Sequence, residues 1–150
     1  MSDFTKTSDA AELQEVLTRY VDSRDGYIQA SLLVEETGLA DALKAIAHRR
    51  QDIVNRMAAL IREQGESIDR EGSPEASLHR WWIRLRDTMT ATETKTVLEE
   101  CLRGEKELLR TLNEALDHGH LHEDHKLLIR EALVEVEQAI VAFQSAVDKD

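Results

Sequence analysis

The chain has 150 residues, a net charge of −11, one proline, six glycines and one cysteine. That length suits one domain with a real core, few helix breakers favour long helices, and an aromatic content of 4% argues against a sandwich or barrel. The acidic field disfavours nucleic-acid partners, and the lone Cys101 excludes an internal disulfide framework and suits a reducing cytosol.

Residues 1–8 read as a polar tail. The start "MSDFTKTSDAAELQEV" has no apolar signal core, and no run approaches the ~18 apolar residues of a membrane span. The protein therefore reads as cytoplasmic, with no membrane contact. Asp9 and Glu12 have the spacing of a capping box. A stripe follows at alternating steps of four and three: Leu13, Leu17, Tyr20, Arg24, Tyr27, Ser31, Val34. "ETGLAD" at 36–41 predicts a tight connection, with Gly38 as the helix C-cap. The second stripe is Leu39, Leu43, Ile46, Arg50, Ile53, Met57, Leu60, and Gly65 ends it.

Ser73-Pro74 opens a short helix, "PEASLHRWWIRLRDTM", that holds Trp81 and Trp82. Leu78, Trp82 and Leu85 make one face of it, which packs on the bundle; exposed, the tryptophans would offer a patch for a partner or for self-association. Thr90 and Glu93 form a second capping box. The third long helix runs to about Asp117, with Leu98, Leu102, Glu105, Leu109, Leu112 and Leu116 on one face. "DHGH" breaks it. The last helix starts near His122–Asp124 and carries Leu128 or Ile129, Leu133, Val136, Ile140, Phe143 and Val147. Residues 148–150 are a charged end.

Four helices of about 25 residues would each be ~37 Å long. Tight first and last connections make two antiparallel hairpins. The middle connection is long enough to run the length of a bundle. The predicted fold is all-α: a single ferritin-like four-helix bundle over residues 9–147, two hairpins joined by a long crossover containing a short helix.

Three stripes carry one charged residue at mid-helix: Arg24, Arg50 and Glu105. Inward mid-helix positions of a ferritin-like bundle are where di-metal carboxylates sit, and that chemistry needs Glu-x-x-His pairs. None occurs: Ala45 precedes His48 by three residues, Ala76 precedes His79, and His122 precedes His125. A guanidinium cannot ligate a metal. The expectation is a buried Arg24–Glu105–Arg50 ion cluster in the bundle centre, since an unpaired buried charge costs several kcal/mol. No cofactor is predicted. Iron or manganese held by Glu105 and neighbouring carboxylates is one alternative. The other is zinc, nickel or copper chelated by the turn "HGHLHEDH", through His118, His120, His122 and His125. Cys101 lies beside Glu100, which disfavours a thiolate, and no nucleophilic triad or phosphate-binding loop occurs.

"DSRDGYIQAS" (22–31), "ASLHRWW" (76–82) and "LEECLRGEKELLRTLNEAL" (98–116) resemble one family. It is the ferritin-like four-helix-bundle family of unknown function called domain of unknown function 2383. The likeness spans nearly the whole chain. Its most specific parts are Asp22, Gly26 and Tyr27, and Cys101, Gly104 and Glu105. The resemblance implies a ferritin-like fold in a bacterial protein and no established enzyme role. The family pattern has Gly-Glu where Ser23-Arg24 stands and a histidine where Ile140 stands, which weakens any metal site. The function expected is non-catalytic: a structural or protein-interaction role, as a homo-oligomer or with a protein partner.

Overall fold

A computed structural model describes residues 2–65, 94–117 and 121–149. Among these residues the chain is all-helical: α1 (Ser2–Leu33), α2 (Thr37–Glu63), α3 (Thr94–Asp117) and α4 (Glu123–Asp148). They pack in two pairs, α1 on α2 and α3 on α4, with smaller contacts of α1 on α3 and α2 on α4. The short helix expected around Trp81 and Trp82, the Thr90–Glu93 capping box, His118 and His120 lie outside the described residues.

Two sequence-based boundaries are corrected. The first helix begins at Ser2, not after a polar tail at 1–8. No glycine or proline interrupts the chain before Gly26, so nothing stops the helix from extending backwards. Asp9 is therefore mid-helix and not a cap. Gly38 likewise lies inside the first turn of α2 and does not close α1. The cap is Glu36, whose carboxylate accepts from the N–H groups of Gly38 (2.9 Å) and Leu39 (2.8 Å). An acid there meets the positive end of the helix dipole. A Cβ at position 38 would stand 2.9 Å from Glu36 Oε1, so glycine leaves room for the capping carboxylate. The other end of α2 is as expected: Gly65 adopts φ +77°, the left-handed turn that glycine tolerates.

The core falls into two apolar blocks. One gathers Leu13, Leu17 and Tyr20 of α1, Ile53, Met57 and Ile61 of α2, Leu108 and Leu112 of α3, and Ile129 and Val136 of α4. The other holds Tyr27 and Ala30 of α1, Leu43 and Ala47 of α2, Val97, Cys101 and Leu102 of α3, and Phe143 of α4. Arg50 and Glu105 fall between the blocks in sequence, and Ile140 packs against both. The first block contains the start of α1, the end of α2, the end of α3 and the start of α4. The second contains the opposite ends of all four.

Candidate functional site

At the level between the blocks each helix supplies a polar group. Arg50 of α2 is fully buried, and Glu105 of α3 is 1% exposed. They form a two-pronged ion pair: Nη2 donates to Oε1 at 2.6 Å and Nη1 to Oε2 at 3.2 Å. The planar guanidinium fork matches the carboxylate, which is why arginine suits a pair without water. Nη1 also reaches Ser23 Oγ of α1 at 3.4 Å. Tyr27 Oη, also from α1, donates to Glu105 Oε2 at 2.8 Å. Glu135 of α4 brings Oε1 to 2.8 Å from Arg50 Nε, a charge contact without hydrogen-bond alignment. Two ring faces enclose the cation, with Arg50 Cζ 5.6 Å from the Tyr20 centroid and 5.7 Å from that of Tyr27. Tyr27 in turn stacks on Phe143 at 6.2 Å.

Burial, the largest single influence, would lower the Arg50 pKa, but the charge and hydrogen bond of Glu105 together with Tyr27 and Tyr20 outweigh it, so the guanidinium is held above its ordinary value. Burial also pushes both tyrosines up, with Arg50 pulling the other way on Tyr20 and Glu105 adding to the rise on Tyr27. The Cys101 thiol is pushed up to about 12 by burial first, then by Glu105 and Glu100. None of these groups exchanges a proton near neutral pH. The centre holds charge; it has no activated nucleophile.

Arg24 does not belong to the cluster. It is half-buried at the α1–α2 seam, where Nε donates to Asp25 Oδ1 (2.9 Å) and Nη1 to Gln51 Oε1 (2.7 Å). Glu135 supplies the further charge in its place. Nor does the donor set fit the di-metal site of a ferritin-like bundle. Both Glu105 oxygens already face hydrogen-bond donors, the nearest cation has no lone pair to offer, and Ile140 is apolar.

A second polar group closes the far end of the first block. The Asp9 carboxylate is fully buried and lies 3.1 Å from His125 Nδ1 through either oxygen. A carboxylate accepts, so Nδ1 carries the proton. His122 adds its backbone N–H at 3.3 Å and its Nε2 at 3.0 Å, both to Oδ2. The Gln64 amide approaches His125 at 3.3 Å. Thus two of the four turn histidines meet, but on a carboxylate 113 to 116 residues away that sequence reasoning had assigned as a cap. Among the described residues, no three His, Cys, Asp or Glu side chains are arranged to hold a metal ion. Among them too, no helix is long and apolar enough to cross a membrane.

Fold and site together define an all-α four-helix bundle with an ion pair buried in its core. The chain belongs to the family described as Domain of unknown function (DUF2383), whose model matches residues 9–118. That span takes in Asp9, Tyr27, Arg50 and Glu105 and stops short of Glu135. No curated protein and no solved structure matched the chain.

Proposed function

We propose that this is a non-catalytic, cytoplasmic ferritin-like bundle with a structural or protein-interaction role. In it an internal guanidinium occupies the level where other ferritin-like proteins hold metal. One observation carries the reading: Arg50, without solvent contact, grips Glu105 through two hydrogen bonds and faces Glu135. The inward carboxylates already have their cation, and it is one that has no lone pair to offer a metal and no oxidation state to change. Because the centre draws on all four helices, it fixes their register against one another; buried polar groups have this use in coiled coils.

The ferritin-like topology is part of the proposal. Its support is the sharing of ends: α2 finishes beside the start of α4, at Gln64 and His125, whereas Val97 of α3 packs with Leu43 near the start of α2. Gly65 and Thr94 thus stand at opposite ends of the bundle, the placement that a ferritin-like topology requires.

The test is the elemental content of untagged protein purified without chelators, before and after Arg50→Ala. The expected result is no stoichiometric iron or manganese in either. Stoichiometric iron or manganese in the unsubstituted protein would overturn the reading in favour of a metal-binding, oxidase-like protein. Zinc, nickel or copper lost on His122→Ala and His125→Ala would favour chelation by the histidine turn.

A further inference from the structure

The outside of α4 carries a feature that the core does not explain. Leu127, Val134 and Val141 are 63%, 54% and 69% exposed. They recur every seven residues, and seven steps of a helix return to within about 20° of the starting direction. The three aliphatics thus form one straight stripe, roughly opposite the buried face made by His125, Ile129, Val136 and Phe143. An aliphatic repeated every seven residues keeps returning to one line of the helix, the spacing at which one helix packs along another.

We propose that this stripe is the contact between two copies of the chain, paired antiparallel through α4 with Val134 on the two-fold axis. The flanking charges choose the occupant and its direction. Arg130 and Glu137 lie on one side of the stripe, and Glu131 and Gln138 on the other. In a two-fold antiparallel pair centred on Val134, Leu127 of each copy meets Val141 of the other. Same-side residues then face each other. Arg130 stands within one residue, about 1.5 Å along the axis, of Glu137 in the partner, and Glu131 stands equally close to Gln138. Neither Arg130 nor Glu137 has an ion pair among the described residues. A parallel pair would set Arg130 against Glu131, whose carboxylate Arg56 already holds, set Glu137 against Gln138, and bring the acidic starts of both α4 helices, Glu123 and Asp124, together. It would also align the two helix dipoles in the same sense. One helix face covers less than the ~800 Å² per partner of a standard interface, so the association is concentration-dependent. The inference concerns the outside of α4 and stands whatever the metal content proves to be.

Sedimentation of the full chain tests it together with cysteine substitutions on the stripe. Cys101, the one native thiol, is buried and does not interfere. The mass should rise with concentration from monomer towards twice that value. Val134→Glu, on an exposed position that leaves the fold intact by circular dichroism, should weaken dimerisation at least tenfold. Under mild oxidation Val134→Cys should give a covalent dimer. Leu127→Cys alone should not, whereas Leu127→Cys mixed with Val141→Cys should. A monomer at every concentration would overturn the proposal. So would cross-linking of Leu127→Cys alone, which reports a parallel pair. A Val134→Cys thiol that resists alkylation in a monomer would mean that the chain's own residues 66–93 cover the stripe, and would overturn it equally.

Discussion

Among the described residues the bundle buries two carboxylates, Glu105 in its middle and Asp9 at one end, and it satisfies them differently. Glu105 faces a cation that stays charged at any pH a folded protein survives, along with a tyrosine hydroxyl. Asp9 faces two imidazoles, one nearly buried and one 59% exposed, and a backbone N–H. The difference teaches where each kind of pairing is tolerable. Deep between two apolar blocks, partial satisfaction would be punished by the low dielectric, so a fixed, bidentate cation is used. At the end of the bundle water reaches one partner, and imidazole and backbone N–H donors can stand in for a guanidinium.

That comparison breaks most sharply at Arg50. Arg50→Ala removes the cation, leaves Glu105 buried with the Tyr27 hydroxyl as its donor among the described residues, and should cost about 3–5 kcal/mol in urea unfolding. Glu105→Gln should cost less, because Arg50 keeps Glu135. Replacing both Arg50 and Glu105 by leucine should cost less than Arg50→Ala alone. Equal losses from all three would mean that the two side chains do not act as a pair.

Asp9→Asn probes the other end. The amide still accepts from one donor but loses the charge, so a loss of about 1–2 kcal/mol is expected. The loss should be partly recovered in an Asp9→Asn, His125→Gln double variant if the contact is direct. An Asp9→Asn protein as stable as the parent would show the carboxylate to be idle.

Cys101 sharpens the contrast between groups that titrate and groups that do not. Its thiol is raised from 9.0 to about 12, so the folded protein holds this proton more tightly than the unfolded chain. The associated stability is present in full below the unfolded value and is lost as pH rises through the folded one. Between pH 9 and 11 the parent should lose more stability than Cys101→Ala. Parallel alkaline limbs in urea titrations would contradict the assignment.

The smallest effect belongs to a pair that looks just as good on paper. Arg56 and Glu131 join α2 to α4 by two hydrogen bonds of 2.8 and 2.6 Å, but both are about half exposed. Glu131→Gln should change stability by about 0.5 kcal/mol or less, and salt should erase even that.

Legibility in the sequence followed the range of the interaction. Four helices, the end of α2 at Gly65 and the inward positions of Arg50 and Glu105 were readable, because each rests on helical periodicity or local turn chemistry. Arg24 misled because a long side chain on the edge of a stripe can turn sideways along the seam, and its partners Asp25 and Gln51 gave no periodic sign. Glu135 was missed because it flanks the stripe of Val136 and Ile140; its half-buried place on the α2 side of α4 was the only clue. Asp9 matched a local capping pattern, and its real partners lie at the other end of the chain, beyond what local spacing reports. The two most specific elements of the family resemblance, which local spacing could not connect, meet in the structure through Tyr27 and Glu105.

The two-block core also constrains how the sequence can change. Each single step from the ion pair towards an apolar centre passes through one buried charge without its partner, at about 3–5 kcal/mol out of a total stability of about 5–15 kcal/mol. Losing both together would be tolerable, but point mutations arrive one at a time. Arg50 and Glu105 are thus held in place by the depth of the valley around them, whether or not an apolar centre would be more stable.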